Sequence, residues 1–182
     1  MSATFLDHYR LMVKYNRWLN ERLYAACETL TDADRKRDRG AFFGSIHQTL
    51  THLVLADKMW LQRFALQGVA FPALIPGLLH LPAGADYTSA LYPDWVDLTH
   101  NRALLDAAID AWLAGMVPTF LLAPMRYTNT RGAAREHPAW QALSHFFNHQ
   151  THHRGQVTTL LTQAGVDVGV TDLIALASSR SE

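Results

Sequence analysis

Cysteine is almost missing from this sequence of 182 residues, since Cys27 is the only one. A single cysteine excludes an intramolecular disulfide, and it excludes the paired-cysteine motifs of zinc sites and thiol redox enzymes. We interpret Cys27 as a small apolar residue of a helix.

An excess of charge of either sign is also missing, because 16 Lys and Arg balance 16 Asp and Glu. Thirteen of the cations are arginines scattered along the chain, so no basic surface for nucleic acid is predicted. No apolar run reaches the roughly 18 residues of a membrane span. Charges interrupt the first segment every few residues, which argues against a signal peptide. We expect a cytoplasmic protein with neither a nucleic-acid nor a membrane partner.

Glutamate is scarce, and its scarcity excludes two classes of metalloprotein. The four glutamates are Glu21, Glu28, Glu136 and Glu182. A ferritin-like di-iron bundle needs several inward glutamates, with Glu-x-x-His on two helices, and none of these four precedes a histidine at that spacing. The His-Glu-x-x-His motif of zinc proteases is absent as well.

Apolar residues recur at three- and four-residue steps in four segments, which is the period of one helix face. We predict helices over residues 4–28, 45–66, 94–116 and 138–164. Ser45 is a good start for the second helix, which should stop at Gly68, and Pro138 suits the first position of the fourth. Helices of these lengths have the proportions of a four-helix bundle. The sequence therefore predicts an all-α fold that forms a single domain over residues 1–182.

Three other segments lack this period. Four prolines and three glycines between residues 68 and 93 predict a long connection, which is either a lid or crossover or a segment that simply packs over the bundle. Residues with high β-strand propensity flank an Asn-Thr-Arg-Gly turn between 119 and 136. They favour a small hairpin or an extended loop. The segment TDLIALASS near the end of the chain favours one or two turns of a C-terminal helix.

The fourth predicted helix carries four histidines within nine residues. On a helical wheel, His149 and His153 lie closest to its apolar face, whereas His145 and His152 lie toward the rim. His149 and His153 are four residues apart, so their imidazoles stand one above the other and can reach one ion. This spacing alone is a weak motif, and solvated or hydrogen-bonded histidines are the simpler interpretation.

A third ligand must come from another helix, and the second predicted helix offers two histidines. The wheel places His52 beside its apolar face and His47 outward. His52, His149 and His153 would form a three-histidine site with an open coordination position, as in catalytic metal sites. The one acidic residue within the apolar arc, Asp57, is too far around the wheel to join them. We predict that Asp57 is a buried partner for an arginine such as Arg17 or Arg154.

Three motifs together resemble the DinB/YfiT-like family of bacterial metal-binding four-helix bundles. They are YNRWLN at 15–20, RDRGAFFGSIHQTLTHLVLADKMWLQRF at 37–64, and NHQTHHRGQVTTLLTQAGVD at 148–167. The resemblance implies an up-down-down-up bundle with a long crossover, and a homodimer. It also implies that one histidine of the second helix and the pair in the last long helix hold a divalent ion. On this sequence those positions are His52, His149 and His153, the set that the wheel selects.

Some proteins of that family are thiol-dependent transferases and others resemble metal-dependent hydrolases. Our first hypothesis is a metal-dependent enzyme in which Zn²⁺ or Ni²⁺ activates a water or a thiol, with a small molecule or a low-molecular-weight thiol as partner. No catalytic acid or base is assigned. The alternative is a non-catalytic metal-binding module of a stress response, and a plain structural bundle without metal is the third interpretation. Imidazole ligands suit several metals, so the sequence does not decide between them.

Overall fold

The computed structural model describes residues 4–67 and 71–178. Within them the chain forms mainly helices and one small sheet. The elements are α1 (Phe5–Glu28), α2 (Asp32–Lys36), α3 (Ile46–Ala65), α4 (Pro76–Leu79), α5 (Trp95–Ala114), α6 (Pro118–Leu122), β1 (Pro124–Thr128), β2 (Ala134–Pro138), α7 (Ala139–Gln163) and α8 (Leu173–Ser178). The predicted all-α fold is confirmed.

Local sequence signals set the ends of the long helices. The Thr4 side chain accepts a hydrogen bond from the Asp7 backbone, and the Asp7 carboxylate accepts one from the Thr4 backbone, so two orphan donors of α1 are satisfied. Ser45 caps α3 as predicted, by accepting from the Gln48 amide. The four predicted long helices correspond to α1, α3, α5 and α7 with ends within two residues. The predicted stop at Gly68 lies outside the described residues.

The directions of α1, α5 and α7 follow from contacts at their ends. The Tyr9 hydroxyl donates to the Trp140 carbonyl at 2.8 Å, so the starts of α1 and α7 lie together and the two helices are parallel. The Trp95 indole donates to the Glu28 carboxylate at 2.6 Å, so the start of α5 lies at the end of α1. Helix α5 therefore runs opposite to α1 and α7.

Helix α3 is antiparallel to α7. The ring centroids of His52 and His153 lie 4.6 Å apart, and those of Trp60 and His145 lie 4.9 Å apart. Residues early in α3 thus face residues late in α7. The four long helices form the up-down-down-up bundle that the family resemblance implies.

A buried ion-pair network lies at the centre of the bundle. Arg102 of α5 contacts Asp57 of α3 at 2.6 Å and Asp106 of its own helix at 3.0 Å. The prediction that Asp57 is a buried partner of an arginine is confirmed, but the predicted partners, Arg17 and Arg154, are wrong. Parallel packing of α3 and α5 brings Arg102 beside Asp57, whereas Arg17 lies at the surface.

The network extends to the other two long helices. Asn16 of α1 donates to Asp106 and accepts from Arg154 of α7. Gln150 of α7 donates to Asp57 at 2.7 Å. All four long helices thus meet through polar groups that the surrounding apolar core isolates from water. Because a buried polar group without a partner is costly, the network favours one packing arrangement of the helices.

The connection between α3 and α5 packs over the bundle in its described part, 71–93. Leu74 and Leu79 are buried, and Gln62 of α3 donates to the Leu79 carbonyl at 2.7 Å. The segment packs over the bundle and also forms the crossover between the parallel helices α3 and α5. The short helix α4 was not predicted.

The predicted hairpin is confirmed, with β1 and β2 antiparallel and Thr128 opposite Ala134. Asn129 shapes the turn, since its side-chain oxygen accepts from the Arg131 and Ala133 amides. The residues just before the hairpin form α6 instead of an extended segment, because Pro118 favours the first turn of a helix. The predicted C-terminal helix is α8. None of the described helices is long and apolar enough to cross a membrane.

We expect Arg102→Met to lower the free energy of unfolding by about 3–5 kcal/mol, because it leaves Asp57 and Asp106 buried without their cation. Urea denaturation at neutral pH measures the loss. The matched control is Arg17→Met, which removes an exposed ion pair with Glu21 and should cost less than about 1 kcal/mol. Equal losses for both variants would contradict the central role of the buried network.

Candidate metal centre

The structure brings the three predicted histidines together. The Nε2 atom of His149 lies 3.3 Å from Nε2 of His52 and 3.1 Å from Nε2 of His153. Ligand atoms of all three residues lie within 4.8 Å of one another. Their assignment as metal ligands stays a prediction, but the group has the size of a single-ion site.

Antiparallel packing of α3 and α7 positions this group. His149 and His153 stand one turn apart on α7, and His52 faces them from α3. The ring of Phe43, from the segment before α3, stacks on His52 with a centroid distance of 4.0 Å and meets His153 edge-on at 5.5 Å. Phe43 therefore shields one side of the histidine group from water.

Two hydrogen bonds orient the imidazoles. His52 Nδ1 lies 2.8 Å from the Tyr87 carbonyl oxygen, and His153 Nδ1 lies 2.7 Å from the Gln156 side-chain oxygen. Both oxygens only accept, so each Nδ1 carries the proton and each Nε2 directs a lone pair at the centre of the group. Partners of this kind fix the tautomer and orientation of metal-binding histidines.

Burial keeps these imidazoles neutral. Desolvation lowers the pKa of His52 to about 4 despite the hydrogen bond to Tyr87. Desolvation, with smaller contributions from the neighbouring histidines, lowers the pKa of His149 to about 3. Burial also lowers the pKa of His153. At neutral pH three uncharged nitrogen donors face one another, which is the protonation state that a cation requires.

The donor set and its setting fit a divalent ion. Three neutral imidazoles that converge on one point are a common ligand set of catalytic zinc sites, which leave a position for water or substrate. Zn²⁺, Ni²⁺, Cu²⁺ and Fe²⁺ all accept such ligands. No carboxylate belongs to the group among the described residues. His52, His149 and His153 could therefore hold one ion without a further protein ligand.

The predicted position of His47 is wrong. This side chain is 5% exposed, its Nε2 lies 2.6 Å from the Tyr92 carbonyl oxygen, and its ring packs near Trp95. The helical wheel placed it outward because the wheel does not show that the connection before α5 covers that face. His47 is not part of the three-histidine group.

The other two histidines of α7 lie at the rim of the group, as predicted. His145 and His152 are exposed. Their ring centroids lie 5.8 Å from His149 and 4.8 Å from His153, respectively. Burial of part of its ring and the nearby Arg63 lower the pKa of His145.

The three histidines form one end of a cleft of about 400 Å³ between α3 and α7. Side chains from α3 continue it at helical spacing, and loops and the hairpin form its walls. The other lining residues are Phe42, Phe43, Ala56, Met59, Trp60, Arg63, Tyr87, Tyr127, Asn129, Thr130 and His145. Sequence patterns pointed only to the histidines, because loop residues have no periodicity that indicates what they face.

Comparison with known proteins identifies the family. The sequence model of the DinB family matches residues 1–181. The chain belongs to the DinB family. Among curated DinB-like proteins, the one named Protein DinB from Bacillus subtilis (strain 168) is 22% identical over 161 residues, which cover 88% of each chain. No solved structure matches the chain.

His149→Ala should abolish stoichiometric metal binding by this DinB-family protein, because its Nε2 lies between the other two. Elemental analysis of protein purified without a His tag measures the metal content. His47→Ala is the control: it removes a buried histidine of α3 and some stability, yet it should retain the metal. Equal metal loss in both variants would require a different ligand set.

Stability of the metal-free protein should fall as the pH drops from about 6.5 toward 4. The unfolded chain takes up protons on histidine near pH 6.5, whereas folded His52 and His149 resist protonation down to pH values of about 4 and 3. The unfolded state then binds more protons, and linkage lowers the unfolding free energy over this window.

Urea denaturation at several pH values measures this dependence. His149→Leu should reduce the slope without removing it, since His52 still contributes, while His152→Ala, which replaces an exposed histidine, should keep the full slope. A wild-type slope that persists in His149→Leu would show that other groups cause the acid sensitivity.

Proposed function

We propose that this DinB-family protein binds one divalent cation, Zn²⁺ or Ni²⁺, at His52, His149 and His153 and uses it in catalysis. The proposed reaction classes are thiol-dependent transfer and hydrolysis, with a small-molecule substrate or a low-molecular-weight thiol as partner. One observation carries the proposal. The three Nε2 atoms converge at the end of an open cleft, where a small molecule can reach them, and not inside a closed core.

The residues of the chain have distinct tasks in this proposal. Tyr87 and Gln156 hold two imidazoles in the tautomer that directs Nε2 inward. Phe43 excludes water from one side of the group. A bound divalent ion would supply Lewis acidity and lower the pKa of a coordinated water or thiol. The cleft walls then decide which molecule approaches.

A second candidate function is a metal-binding module without catalysis, acting in a stress response. It is favoured by one observation: the described cleft-lining residues include no Asp or Glu and therefore no carboxylate that could serve as a general base. We assign no catalytic acid or base. A thiol or water activated by the metal alone does not need one, which is why the enzyme hypothesis remains our first.

Two further proposals concern the setting of the protein. The family resemblance supports a homodimer, and the composition supports a cytoplasmic location without a nucleic-acid partner. Size-exclusion chromatography with light scattering tests the first of these directly.

Small thiols should coordinate the metal if the cleft leaves a position open. In Co²⁺-loaded protein titrated with 2-mercaptoethanol, we expect a thiolate-to-cobalt absorption band that saturates with one thiol per ion. His152→Ala should retain the band and His153→Ala should lose it. A metal that is bound stoichiometrically but gives no band with any small thiol favours the non-catalytic module.

Turnover decides the enzyme hypothesis itself. Metal-loaded protein should transform at least one member of a panel of electrophiles and esters, offered with and without low-molecular-weight thiols. His52→Ala is the matched inactive control. Thiol coordination without any turnover across the panel would contradict the catalytic proposal, but it would not contradict the proposed metal binding.

A further inference from the structure

An arginine side chain, Arg63, lies at the end of the cleft opposite the histidines, between two aromatic rings. Arg63 lies at the last turn of α3, and its guanidinium stands 4.7 Å from the ring centroid of Trp60 and 4.9 Å from that of Tyr127. It lines the same cleft as the histidine group. The two rings hold the guanidinium in place, because cations are attracted to aromatic faces.

The guanidinium of Arg63 differs in its partners from those of the buried arginines. Arg102 contacts two carboxylates, Arg154 donates to Asn16, and Arg35 donates to the carbonyl oxygens of Cys27 and Leu30. Arg35 also packs over a tryptophan ring, so an aromatic contact does not by itself replace hydrogen-bond acceptors. Within residues 4–67 and 71–178, the Arg63 guanidinium donates no hydrogen bond and forms no ion pair, and its contacts are with the two aromatic rings.

The charge of the cleft complements an anion. Its described lining residues include one arginine and no acidic residue. The Arg63 side chain is half-buried, and this partial desolvation without a carboxylate partner lowers its pKa. A carboxylate, sulfonate or phosphate on a ligand would compensate for it with two parallel hydrogen bonds, the geometry that guanidinium favours.

Helical geometry relates Arg63 to the histidines. Arg63 follows His52 by eleven residues, or just over three full turns, so both side chains leave the same face of α3 about 16 Å apart along the axis. The long Arg63 side chain leans against Trp60, three residues earlier on α3, and so extends toward the histidine end of the cleft. Ala56 lies between them on this face, and its small side chain leaves room for a ligand.

We propose that Arg63 is the recognition site for an anionic group of the substrate, whose reactive end lies at the histidine group. The substrate class is then an elongated small molecule that bears a carboxylate or a chemically similar anion several bonds from the reacting atom. This inference deepens the proposed function and rests on it for the role of the histidine end. Anion binding at Arg63 is testable without metal.

NMR of the full chain tests anion binding directly. The Arg63 Nε–H resonance, assigned by its loss in Arg63→Gln, is followed while phenylacetate or the matched neutral phenylacetamide is added. Spectra are recorded for the protein as purified and after zinc is added. We expect saturable shifts with phenylacetate and roughly tenfold weaker binding of the amide, the size expected for a charge-assisted hydrogen bond at a partly exposed site.

Arg131→Gln is the matched control, because it removes an exposed arginine from the hairpin turn beside the cleft. It should leave the preference for phenylacetate unchanged, whereas Arg63→Gln should abolish it. Equal affinities for the acid and the amide in wild-type protein, or a preference that survives Arg63→Gln, would overturn the proposal. Unfolding of Arg63→Gln is checked by circular dichroism, and Arg63→Lys, which keeps the charge, should retain part of the preference.

A second experiment connects the two ends of the cleft. Co²⁺-loaded protein is titrated with ω-mercaptoalkanoates of increasing chain length and with their amides, and the thiolate band gives each affinity. A preference for the acid should emerge only in chains long enough to span from the metal to Arg63, and Arg63→Gln should remove it. Failure of both thiol series to give a band counts against the proposed function, while the NMR result still decides anion binding at Arg63.

Discussion

The contacts made by the Asp57 carboxylate set the geometry on which the candidate site depends. Asp57 accepts from Arg102 of α5 and from Gln150 of α7, and at 1% exposure it has no water to replace either partner. Since an unpaired buried charge is very costly, these bonds fix how far α3 can slide against α7. His149 immediately precedes Gln150, so the same register determines the distance from His149 to His52.

The buried polar network and the histidine group thus lie on adjacent faces of the same two helices. Toward the centre of the bundle, α7 contributes Gln150 and Arg154 to the ion-pair network. One residue earlier in each case, His149 and His153 turn toward the cleft. A change in the helix packing would disturb both sets together. Burial lowers the pKa of these imidazoles, so they stay neutral. The coupled packing then holds them close together without a protein carboxylate among them.

The non-helical segments enclose the histidine group on several sides. Tyr87, from the connection before α5, supplies the carbonyl that orients His52. Tyr127, from the hairpin, covers Arg63 at the far end of the cleft. Phe43, from the segment before α3, covers the near end. DinB-family membership accounts for the bundle, whereas these segments of the chain shape the space in which a ligand would bind.

The sequence by itself determined the four long helices, the Ser45 cap of α3 and the phase of each helix, because these depend on a local period and on neighbouring residues. Pro138, predicted at the first helical position of α7, precedes that helix instead. That phase was enough to select His52, His149 and His153 from ten histidines. Only the tertiary structure decided that His47 is buried under the connection, that Asp57 pairs with Arg102, and that Tyr87 and Arg63 line the same cleft as the histidines. Such contacts join residues far apart in the chain, and they depend on which helices are neighbours and where aperiodic segments pack, for which a helical period carries no signal.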